Sequence, residues 1–217
     1  CVHEKEVVTI DDLANSICEI ANSIIEDGFD SISYRAAKDL LLKNSPRLGD
    51  APTGKLLAGD EDTVEGSVCI ASQLKGSVLG IQGPPGSGKT YTGAMIILRL
   101  SQQGKRIGVT APSHKVIRNL FDKVLELGAE NNIPVVLVHK PKEKSDQLPP
   151  GLEEAKDNRQ ALQALNEKKV VGGTAWLWAH NDARETLDYL LVDEAGQMSL
   201  AHVLAASRSA KNVVLLG

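Results

Sequence analysis

Apolar residues along this chain fall into two textures. In the first stretch they recur at helical spacing. Leu13, Ile17, Ile20 and Ile24 share one face of a helix whose start Thr9 and Asp12 can cap and whose end falls at Gly28. Ser33 is placed to cap a second, shorter helix carrying Leu40, Leu41 and Leu42. From Pro46 to Gly66 the chain turns rich in Gly, Pro and acidic residues and reads as a loop or linker. Residues 1–66 are therefore expected to be a helical appendage, or the tail of a preceding region, with a supporting role.

After Gly66 short apolar runs alternate with amphipathic ones. Strands are predicted at Val78–Gln82, Arg106–Thr110, Val135–Val138, Lys169–Gly172, Tyr189–Val192 and Val213–Leu216. Helices are predicted at Thr90–Gln103, with Ile96, Ile97 and Leu100 inward, and at Ser113–Leu127, Leu152–Glu167 and Ser199–Ser207. The polar, Pro-bearing stretch His139–Gly151 reads as a loop. Strands alternating with helices predict an α/β domain over residues 67–217 with a mainly parallel sheet covered on both faces.

Composition narrows the class without naming a function. The 217 residues are 42% hydrophobic and carry 24 basic against 28 acidic side chains, a net charge of −4. That excludes a broadly basic nucleic-acid coat but leaves room for a local positive groove. Cys1, Cys18 and Cys69 match no metal-ligand spacing, and their odd number argues against a disulfide framework. A reducing, cytoplasmic setting is expected. No apolar run approaches the ~18 residues needed to cross a bilayer, so no membrane partner is expected. Running from Cys1 to Gly217, just past a strand-like run, the chain reads as a piece of something longer.

The strongest chemical signal is Gly83-Pro84-Pro85-Gly86-Ser87-Gly88-Lys89-Thr90, which fits GxxxxGK[ST] in full between a predicted strand and a predicted helix. Glycines let successive N–H groups curl around one concavity, and the helix adds its positive end. Lys89 can reach the β- and γ-phosphates as a point charge. Thr90 offers a hydroxyl to Mg²⁺. The loop is expected to hold ATP or a closely related nucleoside triphosphate.

A second signal lies about a hundred residues on, where the apolar run Leu190-Leu191-Val192 ends in Asp193-Glu194. Asp193 can hold Mg²⁺ through a water, leaving Glu194 to orient and deprotonate an attacking water. This division suits hydrolysis better than small-molecule phosphorylation, where water must be kept out.

Evidence for a nucleic-acid partner is thinner. Ser113, His114, Lys115 and Arg118 cluster at a predicted helix start, and hydroxyls, cations and helical N–H groups suit a phosphodiester backbone. Trp176 and Trp178 flank a strand end; one could stack on a base or pack in the core. His3, His139, His180 and His202 are scattered and suggest no metal site.

Residues from 82 onward resemble the first motor domain of superfamily 1 helicases, in the branch containing the nonsense-mediated-decay helicase and the DNA-replication helicase-nuclease. The likeness rests on GPPGSGKT at Gly83–Thr90, TAPSHKVIRNL at Thr110–Leu120 and GGTAWLWA at Gly172–Ala179. It continues through VDEAGQMSL at Val192–Leu200 and NVVLLG at Asn212–Gly217. More narrowly, the chain is similar to bacterial proteins in which a RecB-like nuclease precedes such a motor. The resemblance implies a RecA-like P-loop NTPase domain preceded by a small helical segment, using ATP and Mg²⁺ to move on single-stranded DNA or RNA. It implies that Gln197 joins the network sensing the γ-phosphate, and that Thr110, Ser113, His114 and Thr174 lie at the single-strand face. It also implies a second motor domain supplying catalytic arginines, and an N-terminal nuclease domain. Without those arginines, this segment is expected to bind nucleotide but turn it over slowly. One departure concerns the adenine-reading glutamine that related helicases carry before the loop. Its position falls near Gly66, and Gln73 sits too close to the loop to replace it.

Two other functions stay open at this level. One is a P-loop ATPase that moves protein or other cargo. The other is a non-catalytic module gated by ATP.

Overall fold

A computed structural model of the chain describes residues 10–49, 63–84, 86–143 and 145–217. Seven strands form one sheet: β1 (Val78–Ile81), β2 (Ile107–Thr110), β3 (Leu137–His139), β4 (Leu152–Glu154), β5 (Val170–Gly172), β6 (Leu187–Val192) and β7 (Ala210–Leu216). Their order across the sheet is β1-β7-β6-β2-β5-β3-β4, and every pairing is parallel. This is the α/β architecture of a RecA-like P-loop NTPase. Parallel strands bury both faces, and the chain provides for this with near-continuous apolar runs such as Tyr189–Val192.

On one face pack α3 (Thr63–Ser72), α4 (Lys89–Gln102) and α5 (His114–Glu130), through Val68, Ile96, Ile97, Ile117, Leu120 and Phe121. The other face is covered by α1 (Asp11–Asp27), α2 (Arg35–Leu42), α6 (Asn158–Ala164), α7 (Ala175–Ala179) and α8 (Leu200–Ser207). Close approach is built in at β5. A Cβ on Gly172 would lie 2.6 Å from Phe121 Cζ and 2.7 Å from Ile117 Cγ2.

The first two helices belong to this covering layer. In α1, Leu13, Ser16, Ile20 and Ser23 form the buried stripe, and Gly28 ends the helix at φ 78° with its N–H donating to Ile24 O. Ser16 Oγ donates to Ala205 O at 2.7 Å, tying α1 to α8. Arg208, fully buried, donates to Ala179 O and His180 O and pairs with Glu19 at 2.8 Å. These bonds answer the polar groups that burial strips of water.

The structure departs from the sequence pattern in several places. Thr9, expected to cap α1, lies outside the described residues. Tyr34, not Ser33, stands at the start of α2, which buries Ala36, Ala37, Lys38 and Asp39 rather than Leu41 and Leu42. The burial of those charges is compensated: Lys38 donates to Gly28 O and Ser31 Oγ, and Asp39 accepts from Asn44, Arg47 and Ser77. The stretch read as a linker up to Gly66 gives way to helix already at Thr63.

The helix predicted over Leu152–Glu167 is corrected. Leu152–Glu154 is an edge strand on β3, and the helix spans only Asn158–Ala164. Leu137 N donates to Gly151 O and Ala155 N to His139 O, so the free edge of β3 captures a segment with good helix propensity. Asp157 then caps α6, its carboxylate accepting from Gln160 N at 2.8 Å. Helix α7 is a further element, absent from the helices predicted by the sequence pattern.

Gly172→Ala should destabilise the fold by about 1–3 kcal/mol in urea denaturation, because the methyl group has no room. Gly80→Ala, whose Cβ meets nothing within 4 Å, should be neutral or mildly stabilising. Equal effects of the two substitutions would contradict the packing at β5.

Candidate nucleotide site

Seven parallel strands bring their C-terminal ends to one edge, where α/β sheets hold ligands. β1 runs into the glycine-rich loop and β6 into Asp193, with β7 between them. The chain after β7 bridges the two. Gly217 N donates to Ile81 O, Gly83 N donates to Gly217 O, and Gly217 lies against Gly196 in the turn after Glu194.

Gly86 and Gly88 hold φ at +80° and +83°, in the left-handed region that side chains resist, and a Cβ at either would meet nothing within 4 Å. These two glycines are thus required by their backbone conformation and not by crowding. Gly88 caps the N-terminus of α4, whose first N–H groups have no partner within the helix. Lys89 Nζ donates to Gly83 O at 2.7 Å and Pro84 O at 3.0 Å, folding its ammonium over the loop. Ser87 N donates to Pro84 O, tightening the turn. Thr90 is half-buried on the first turn of α4. Pro85 lies outside the described residues.

Asp193 is 4% exposed. Its N–H donates to Thr110 O and its Oδ1 accepts from Glu194 N at 3.0 Å. Burial pushes its carboxyl up to about 6; the Glu194 carboxylate adds to the rise, while the Glu194 N–H and the Lys89 ammonium oppose it. Lys89 and Asp193, 104 positions apart in sequence, therefore share one electrostatic environment. Glu194 sits at φ 51°, ψ 43°, a left-handed conformation that is costly for a non-glycine residue. Gln197 Nε2 donates to Glu194 Oε2 at 2.9 Å across the short 3₁₀ turn between them.

This donor set fits a magnesium–triphosphate. An N–H cradle, a loop ammonium and a hydroxyl face the same edge as a buried carboxylate whose charge lacks full compensation. Among the described residues no cluster of three or more His, Cys, Asp or Glu could hold a metal alone. Mg²⁺ takes one or two protein ligands and completes its shell with phosphate and water. Thr90 and Asp193 are the residues that could supply them here.

The residues expected at a nucleic-acid face separate. Ser113 caps α5, its Oγ accepting from Val116 N, and stands exposed beside exposed Lys115. Thr174 is half-buried at the start of α7, on the same sheet edge. Thr110 does not join them: it is fully buried and its hydroxyl finds no partner within the protein. Trp178 is fully buried, its Nε1 donating to Val109 O and Gly173 O. Trp176 is half-buried with its ring 5.1 Å from that of His202. His139, which spacing left unassigned, meets His114 at 3.1 Å. No sequence signal links them, since they meet only through the order of strands. Arg118 is held by Asp122 at 2.9 Å. Gln73 donates to Cys69 Sγ.

Comparison with known proteins finds similarity over much of this part of the chain. A family profile described as an AAA domain matches residues 67–162. The DNA replication ATP-dependent helicase/nuclease DNA2 of Saccharomyces cerevisiae is 30% identical over 145 residues, 63% of this chain and 9% of that protein. A putative regulator of nonsense transcripts 1 from Takifugu rubripes is 31% identical over 105 residues, 41% of this chain and 10% of that protein. An Arabidopsis thaliana homolog of that regulator is 38% identical over 60 residues, 27% of this chain and 5% of that protein. The chain thus spans at most a tenth of the length of these relatives. It carries a P-loop NTPase, AAA-like domain related to members of the superfamily 1 helicase and helicase–nuclease group. Among the described residues, no helix is long and apolar enough to cross a membrane.

The raised Asp193 carboxyl has a stability consequence. Its folded value, about 6, lies above the 3.8 of a free carboxyl, so the folded state holds the proton more tightly. The residue is least costly below about pH 4; its cost grows as pH rises toward about 6 and is constant above. Asp193→Asn should therefore stabilise the nucleotide-free protein at neutral pH by about 1–3 kcal/mol. That advantage should shrink as pH falls from about 6 to about 4. Thermal unfolding across pH checks this; an advantage independent of pH would contradict the burial of a charged Asp193.

Proposed function

We propose that this chain is the ATP-binding motor domain of a nucleic-acid-dependent ATPase of the helicase type. Convergence of the Lys89 ammonium and the buried Asp193 carboxylate beside Glu194 carries the reading. Kinship to proteins named helicase and helicase/nuclease supports it. Single-stranded DNA or RNA is the partner, met by Ser113, His114, Lys115 and Thr174 on the sheet edge that also holds the phosphate loop. The resemblance also supports a whole protein with a second motor domain and a nuclease domain ahead of this one.

In this mechanism, the N–H groups of residues 86–90 and the Lys89 ammonium bind and orient the β- and γ-phosphates. Lys89 gives up its contacts with Gly83 O and Pro84 O to do so. Thr90 and Asp193 would hold Mg²⁺, which would supply charge neutralisation at the phosphoryl oxygens. Asp193 would serve this role in its ionised form. Glu194 positions the attacking water and takes its proton. Gln197, bonded to the Glu194 carboxylate, holds that carboxylate in place and links it to the adjoining turn. Gly217 lies against both the phosphate loop and this turn, so a change at the γ-phosphate has a short path toward the strand-binding edge.

Lys89→Ala should weaken Mg-ATP binding by at least about 10-fold in calorimetry, since a charge-assisted contact worth about 1.5–3 kcal/mol is lost. Unchanged affinity would remove the assigned role. Glu194→Gln should keep nucleotide affinity while ATP turnover by the whole protein, measured with single-stranded DNA or RNA present, falls by at least about 100-fold. Turnover that responds to a protein cargo but not to single strands would point to the other class of P-loop ATPase.

A further inference from the structure

The contact between His114 and His139 has no part in nucleotide chemistry. His139 ends β3 and is 4% exposed. Its ring meets Phe121 edge-on at 6.3 Å, so it has little freedom to turn. His114 is the first residue of α5, half-buried, between exposed Ser113 and exposed Lys115. Its Nδ1 lies 3.1 Å from His139 Nε2, with the ring centroids 5.2 Å apart and the planes tilted by 57°.

We infer that this pair forms a one-proton contact for a phosphodiester backbone, with His114 touching the strand and His139 positioning it. The inference rests on the single-strand reading of this edge. At a distance of 3.1 Å one nitrogen must donate and the other accept. Three protonation states then differ sharply. With both rings neutral, the contact is made in either tautomeric sense. With one proton added, His114 becomes an imidazolium whose Nδ1–H donates to the His139 lone pair, leaving its Nε2–H as a charged donor. A second proton is excluded, because both facing nitrogens would then carry hydrogen.

The surroundings keep the pair neutral until an anion arrives. Burial is the main cause lowering both imidazoles, and with the facing His114 next in size, His139 goes down to about 4. From the segment after β3, Lys140 lowers both, and from α5 Arg118 lowers His139 although Asp122 holds its guanidinium. From β4, Glu154 pulls His139 the other way, its carboxylate held by Ser145 N and Oγ. β5 presents Gly172 alongside His139 and adds no charge. A phosphodiester brought to His114 supplies the missing negative charge, and the pair takes up one proton. The bound state then has the higher proton affinity. Binding therefore tightens as pH falls through the bound-state value and levels off below the free-state value.

Oligothymidylate is a suitable probe, since thymine does not titrate near neutrality. Its affinity for the chain is measured at fixed ionic strength from about pH 8 down to about pH 5, across the range in which histidine titrates. Proton uptake is read by calorimetry in two buffers of different ionisation enthalpy. Wild type should tighten about 3- to 10-fold and take up as much as one proton. His114→Gln should abolish most of that slope. His139→Gln should flatten it while leaving affinity at pH 8 near the wild-type value, which a merely structural role would not do. Lys115→Ala should weaken binding at every pH and keep the slope. A wild-type profile that is flat, or a slope surviving in His114→Gln, overturns the inference while strand binding stands. No binding at any pH overturns the strand reading and this inference together.

Discussion

Parallel pairing of β1, β7 and β6 is the constraint from which the site follows. Because these strands run the same way, the loop after β1 and the carboxylates after β6 must emerge on the same edge. β7 sets their separation, and Gly217 is bonded to both sides of the phosphate loop's entrance. Parallel strands cannot be joined by tight turns, so the returns between β1 and β2, β2 and β3, β4 and β5, β5 and β6, and β6 and β7 pass through helices, while β3 reaches β4 through residues 140–151. Helices that follow the strands directly, as α4 and α5 do, begin at that edge and direct their unpaired N–H groups toward it. Phosphate chemistry is thus built into the topology before any side chain is chosen.

The side chains at this edge carry costs that the surrounding fold covers. Glu194 holds a left-handed backbone, Asp193 is buried with its charge only partly compensated, and Thr110 has a hydroxyl with no partner within the protein. Such features persist where neighbouring structure over-determines them, and they gather at working sites. Elsewhere among the described residues two buried charged groups are held by several partners, although Arg208 Nε and Ser23 Oγ find none. Arg208 meets two carbonyls and Glu19, and Asp39 meets Arg47, Asn44 and Ser77. These networks fasten the first two helices to the far face of the sheet, leaving the strained residues at the opening.

The phosphate loop and the acidic pair were legible because each is a continuous run with its own local context. Gly83–Thr90 needs only its glycines, its lysine and the flanking strand and helix to define a concavity. Leu190–Glu194 needs only an apolar strand that ends in carboxylates. The alternation of strands and helices was legible for the same reason, since period and length are local properties. Pairing was not local. Leu152–Glu154 has the composition of a helix and became a strand because β3 offered unpaired backbone groups beside it. Lys38 and Asp39 are charged side chains, buried because partners from other segments reach them.

Which residues share this sheet edge, then, could be read from motifs; how they act on one another could not. The rise of Asp193 to about 6 comes from burial and from the Glu194 carboxylate, against the opposing Lys89 ammonium brought alongside it. The enclosure of Thr110, its separation from Ser113 and Lys115, and the meeting of His114 with His139 follow from strand order and helix packing. The reason is physical. Backbone conformation and amphipathic period depend on neighbours in sequence. Burial, charge compensation and proton affinity depend on neighbours in space, and those exist only once the sheet has closed its two faces.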